Sequence, residues 1–185
     1  TANLFIFILL FKFLIQNGYI CEYFPKLLMI LFDCQNLRSG HNGFYFFSLN
    51  LAKALLAEAA GRKEKIGLYL PEYSIPLFGD KDFYIRKWHH VDKHIMPLPP
   101  KVKLYHTSNQ LTRYYPSSFR MPVLTTVHDL NFLYIPSTEK NLKNLLKRTE
   151  KTIRNSTHIA AISNFVKKDI VEYYGVDPDK IDRSE

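Results

Sequence analysis

The sequence predicts an α/β domain built on a doubly wound, mostly parallel sheet. Three observations carry that prediction. Short apolar, β-branched runs alternate with stretches of helical periodicity. Several of the runs end abruptly in polar residues, as strands do where an open sheet presents groups at its edge. Glycine-bearing turns stand where strands give way to helices. A chain of 185 residues suits one domain with a substantial core.

Met29 directly precedes the first strand, Ile30, Leu31, Phe32, Asp33 and Cys34. Upstream, Leu4 to Ile15 is apolar apart from Lys12. Such a stretch is too short to span a bilayer, which takes about twenty residues. Three readings compete: a membrane-associating leader, a signal peptide without the usual small-residue cleavage site, and sequence outside the native domain. The third is favoured, with residues 1–28 outside the domain and Met29 as its start.

The loop Gln35 to Gly43 follows, then a helix with Phe44, Phe47, Leu51, Ala54 and Leu55 on one face. A glycine loop that opens a helix leaves backbone amides free for an anion such as phosphate. It also makes an ordinary strand-to-helix turn. The second strand is Ile66 to Leu70. A strand, a glycine loop and a helix also invite a dinucleotide-binding reading, whose fingerprint needs three glycines and an acid after the second strand. Gly40 and Gly43 supply part of that, and Glu72 stands where the acid would be.

Glu72 to Pro100 reads as irregular, with Trp88, His89, His90 and His94 clustered in it. On a helix, His90 and His94 would share one face at a metal-ligand spacing. Pro97, Pro99 and Pro100 favour a loop, and no metal is assigned. Leu104, Tyr105 and His106 end another strand, with Thr107, Ser108, Asn109 and Gln110 behind them. These small polar residues suit either sugar hydroxyls in a pocket or plain turns.

Pro122 to Tyr174 is the most informative stretch. Val123 to Val127 is a buried strand delivering His128 and Asp129 to a sheet edge. Leu142, Leu145, Leu146, Thr149 and Ile153 recur at helical spacing, started by Pro136 and Ser137 and stopped by Asn155 and Ser156. Thr157 to Ile162 is the next strand. Ser163 is an N-cap for a helix running to about Tyr174, closed by Gly175 and Pro178. Strand, helix and strand make a right-handed crossover.

The formal charge of +8 is uneven. Between Glu139 and Arg154, six basic residues outnumber Glu139 and Glu150. This is either a solvated helix face or a surface attracted to anionic lipid head groups. Neither an aromatic-interleaved basic ribbon nor a zinc module points to nucleic acid. Cys21 and Cys34 match no zinc or redox spacing, which suits a reducing compartment.

The run His128, Asp129, Leu130, Asn131, Phe132, then Ala161 to Ile170, then Tyr174 to Ile181, resembles in order and spacing the amino-terminal half of retaining GT-B glycosyltransferases. The closest type is the large family 4, also called glycosyltransferase group 1. The resemblance spans roughly Met29 to Ile181 and implies a Rossmann-like domain over 29–181. In that family Lys180 and Ile181 lead into the strand that opens a carboxy-terminal, donor-binding domain. The chain ends at Glu185, so the resemblance implies a fragment that is inactive alone. The glycine loop would face the donor diphosphate and the acceptor, with Gly40 and Gly43 where the backbone approaches closely. Here Phe44, Tyr45, Phe46 and Phe47 run together, displacing the loop slightly from the usual pattern. His128 would be the catalytic residue, and His106, Asp129 and Ser163 would contact substrate.

The resemblance implies a nucleotide-sugar donor as substrate, neither cofactor nor metal, and a glycan or lipid-linked acceptor. It suits cell-surface polysaccharide or glycolipid synthesis in the cytoplasm, with peripheral contact at the inner face of an anionic membrane and no nucleic-acid partner. Two alternatives stand beside it: an NAD(P)-dependent Rossmann oxidoreductase and a non-catalytic GT-B-like binding subunit.

Overall fold

The computed structural model describes residues 29–40, 42–60, 65–79, 83–117 and 121–183. The apolar stretch Leu4 to Ile15 and Cys21 lie outside them. Seven strands form one sheet: β1 (Met29–Asp33), β2 (Lys65–Leu70), β3 (Tyr84–Lys87), β4 (Val102–Thr107), β5 (Val123–Val127), β6 (His158–Ala161) and β7 (Ile181–Arg183). Their order is β3-β2-β1-β4-β5-β6-β7, and every neighbouring pair is parallel. From β1 the chain winds outward through β2 and β3, then returns to the other side of β1 as β4. The direction of winding therefore reverses between β1 and β4, which places a crevice at their carboxyl ends.

Among the described residues three α-helices cover the sheet: α1 (Gly43–Glu58), α2 (Glu139–Asn155) and α3 (Asn164–Tyr174). On one face, Leu51, Ala52 and Leu55 of α1 pack on Ile30, Phe32, Leu68 and Leu104. On the other, Met29, Leu31, Tyr69 and Tyr105 pack beneath Met96 and Tyr114 from the long connections. A third cluster joins Val127, Ile159 and Ile181 to Ile153, Val166 and Ile170. Strands covered on both sides read as continuous apolar runs, as parallel strands do. All five residues of β1 and of β5 are buried.

The predicted crossover is present, with its ends sharpened by capping. Thr138 rather than Pro136 or Ser137 caps α2, accepting from the Asn141 N–H at 3.3 Å. The Ser163 hydroxyl caps α3, accepting from the Val166 N–H at 3.2 Å. Gly175 ends that helix at φ 62°, in the left-handed region that glycine adopts without strain. On α1 the stripe turns out slightly rotated: Tyr45 and Ser48 are buried with Leu51 and Leu55, while Phe44 and Phe47 are half-buried.

Two segments differ from the sequence reading. The stretch read as irregular contains β3, a four-residue edge strand, Tyr-Ile-Arg-Lys, that is too short and polar to show periodicity. Residues His90–Lys93 form a single 3-10 turn, and both His90 and His94 are exposed. Asp92 between them is buried and occupied: Arg86 donates to it at 2.7 Å, the Tyr69 hydroxyl at 2.9 Å and the His89 N–H at 2.9 Å. The strand from Ile181 pairs with β6 as part of this same sheet.

Candidate functional site

Each strand beside the winding reversal ends in a polar residue, and the sheet brings these together. β1 ends at Asp33, β4 leads into Thr107 and Ser108, and β5 leads into His128 and Asp129. Parallel pairing in register places these ends side by side, since all strands run the same way.

His128 is half-buried in an aromatic notch. The Phe44 and Phe47 rings meet it edge-on, with centroids at 5.0 and 4.4 Å. Its Nε2–H donates to the Ser108 carbonyl at 2.8 Å, and because a carbonyl can only accept, the proton sits on Nε2. Burial pushes the pKa of His128 down, against the opposing pull of the Ser108 carbonyl and the Asp129 charge, which favours the neutral ring. In that state Nδ1 is an acceptor with no partner among the described residues. The backbone N–H of His128 donates to the Gln110 side-chain oxygen at 3.3 Å, and the Gln110 amide donates to the Asp129 carbonyl at 2.7 Å. One buried glutamine thus fixes the two residues after β5.

His106 lies beneath this notch and is fully buried. Its Nε2 and the Thr126 hydroxyl are 2.9 Å apart, its ring tilts against Phe32 at 4.9 Å, and its Nδ1 has no partner among the described residues. Burial, then the neighbouring His128, push its pKa down to about 3. A ring so enclosed supports the floor of the crevice and does not reach its surface. Asp129 is half-buried, and its carboxylate accepts from the Asn131 N–H at 3.2 Å.

The glycine loop leads into α1. Gly40 has φ 71°, so it requires glycine, whereas Gly43 has no positive φ and opens the helix. The Asn42 side chain caps the helix by accepting from the Tyr45 N–H at 3.0 Å. The N–H groups of Gly43 and Phe44 keep no partner among the described residues. Phe44 touches His128, so the start of α1 and the His128 ring are neighbours. Ser163 sits at the end of the adjacent strand β6, with its hydroxyl engaged in capping α3.

Sequence reasoning missed the network behind these groups. Asn36 donates to the Ser48 and Ser108 hydroxyls at 3.1 and 3.0 Å, tying the loop, α1 and the end of β4 together. Asp33 is fully buried and accepts from the Gln35 N–H at 2.8 Å, its amide at 3.0 Å and the Thr107 hydroxyl at 3.4 Å. Burial raises its pKa to about 7, although the Gln35 N–H and the nearby Tyr105 hydroxyl favour the charge. The one available signal was a charged residue inside an otherwise apolar strand. Elsewhere, a cavity of about 680 Å3 opens at the amino end of β5, lined by Tyr115, Val123, Lys151 and Thr157 among others, and shares no residue with the strand-end array.

Glu72, the acid required by the dinucleotide reading, is exposed and ion-paired with Lys87. The described residues contain no cluster of three or more His, Cys, Asp or Glu positioned to hold a metal. No helix among them is long and apolar enough to cross a membrane. The family model described as Glycosyltransferase Family 4 matches residues 44–183. Among curated proteins, none matches the chain.

Proposed function

Because the chain belongs to glycosyltransferase family 4, we propose that it forms the acceptor-side half of an enzyme that moves a sugar from a nucleotide donor, with retention, to a glycan or lipid-linked acceptor. The observation that carries this reading is the contact of the His128 ring, whose Nδ1 is an open acceptor, with the start of α1, where the amides of Gly43 and Phe44 have no partner among the described residues. A nucleotide sugar presents hydroxyls and a diphosphate, which are what an acceptor nitrogen and free amides bind.

The chemistry follows from the charges. The bond between the anomeric carbon and the diphosphate oxygen breaks, leaving positive character on the sugar and extra negative charge on the leaving group. The acceptor hydroxyl forms the new bond on the same face, and its proton passes to the departing diphosphate. In this reading no protein base is needed, and Asp129 orients its loop and an acceptor hydroxyl. Neutral His128 accepts a hydrogen bond from a hydroxyl of the donor sugar and holds its anomeric carbon at the acceptor. Gly40 gives the loop the turn that brings the α1 amides to the diphosphate, and Ser163 borders the crevice as a cap. His106 acts from below, by supporting His128. The reaction is metal-independent, with synthesis of cell-surface polysaccharide or glycolipid at the cytoplasmic face of a membrane as its setting.

His128→Ala tests the reading. Turnover of the full-length protein on its nucleotide sugar, assayed with a chelator present, is expected to fall about 100-fold. Undiminished turnover in the variant removes His128 from the mechanism. Donor binding with no turnover in the wild type would identify a non-catalytic binding subunit instead.

A further inference from the structure

We infer that Arg38, stacked on Trp88 at the mouth of the crevice, recognises an anionic group, a phosphate or a carboxylate, carried by the acceptor. This rests on the transferase reading, in which the crevice receives both donor and acceptor. Arg38 ends the turn that follows β1. Its guanidinium carbon lies 3.5 Å from the centroid of the Trp88 ring, and Nη1 donates to the Tyr114 hydroxyl at 3.3 Å. Trp88 is itself anchored: its backbone N–H donates to the Leu70 carbonyl at 2.8 Å, and its ring meets Tyr114 edge-on at 6.1 Å.

The guanidinium is therefore held in place by contacts that leave its charge unneutralised. Arg38 is exposed and makes no ion pair among the described residues. Two buried carboxylates on this face are already engaged. Asp92 takes Arg86 and Tyr69, and Asp33 is enclosed with Gln35 and Thr107. A preordered arginine with open N–H groups loses little side-chain freedom on binding an oxyanion, and its fork matches two oxygens at once.

Position separates this group from the donor diphosphate. Trp88 and Tyr114 pack on the sheet face of Tyr69 and Tyr105, whereas α1 packs on the face of Phe32 and Leu104, with Phe47 turned to His128. The end of β1 divides the two. A diphosphate at the α1 amides thus leaves Arg38 for a second anion, on the substrate that enters from the other side.

Trp88 is the chain's single tryptophan, so its fluorescence reports directly on this stack. The protein is titrated at constant ionic strength with glucose 6-phosphate, glucuronate, glucose and uridine diphosphate. A saturating change is expected with one or both anionic sugars and none with glucose. Arg38→Met is expected to weaken it at least tenfold and Arg38→Lys about threefold or more, since an ammonium keeps the charge but loses the planar fork. Melting temperatures establish that the variants fold, and if Arg38→Met does not, Arg38→Lys decides. No response to either anionic sugar overturns the inference, as does a response unchanged in the decisive variant. A stronger Arg38-dependent response to uridine diphosphate overturns it too, by assigning the arginine to the donor. Loss of this binding while His128→Ala still abolishes transfer would leave the transferase reading intact. Anion binding in a protein that transfers no sugar would remove that reading and keep the binding point.

Discussion

Two buried titratable residues give the molecule opposite responses to pH. His106 has a folded pKa of about 3 against an ordinary 6.5, so the unfolded chain binds a proton that the native state refuses. Its contribution to stability is complete above about pH 6.5 and is lost as pH falls towards 3. His128 is depressed in the same direction and adds to that loss. Asp33 has a folded pKa of about 7 against 3.8, so the native state keeps a proton that the unfolded chain releases. Its contribution is complete below about pH 4 and is lost as pH rises through 7. In melting curves between pH 4 and 8, His106→Gln is expected to flatten the acid-side fall. Asp33→Asn is expected to flatten the fall towards pH 8, with Gln35 turning its amide to suit the new side chain. Identical pH slopes in wild type and Asp33→Asn would show that the carboxyl is solvated in solution. The two histidines were legible in the sequence because each ends an apolar run. Asp33 was not read as more than part of a strand, because its raised pKa comes from burial in the assembled sheet, beside Tyr105 and Thr107 of a strand distant in the chain.

At the level of elements, local signals located α3 and its boundaries well. Ser163 and Gly175 act through rules that involve only the residues beside them, a hydroxyl for a free N–H and a glycine for a left-handed turn. Ser163→Ala is expected to cost about 1 kcal/mol in denaturant unfolding. Gly67 carries a constraint that no local rule reveals. A Cβ there would lie 2.8 Å from Tyr84 Cδ1, 3.1 Å from the Met29 sulfur and 3.2 Å from Leu31 Cδ1. Gly67→Ala is expected to cost about 1–3 kcal/mol by overpacking between three strands, and no loss in the same measurement would mean that the edge strand gives way freely. The rotated stripe of α1 has the same origin. Ser48 is buried because Asn36 and Ser108 satisfy its hydroxyl, while Phe44 and Phe47 are drawn outward to His128.

For the whole molecule, the order of strands decides where function resides. Placing β4 beside β1 brings Asn36, Ser108, His128 and the start of α1 to one crevice, although they are spread over most of the described chain. Charge is distributed on the same scale. The basic residues of α2 are partly spent, in pairs such as Glu139 with Lys143 and Glu150 with Arg154, and the formal charge is still +8. Co-sedimentation with phosphatidylserine vesicles is expected to exceed that with phosphatidylcholine and to fall as salt rises from about 0.05 to 0.5 M. Equal, salt-insensitive binding to both would leave α2 as a solvated face. The sequence by itself determined the α/β class, the crossover from Val123 to Tyr174, the caps of α3 and the family resemblance, because strand ends, caps and periodicity are set by neighbours in the chain. Only the tertiary structure decided that His106 is enclosed, that Gln110 fixes His128, that Asp33 keeps a proton and that Arg38 rests on Trp88. Those properties depend on desolvation and on partners tens of residues apart, which meet only when the sheet has assembled.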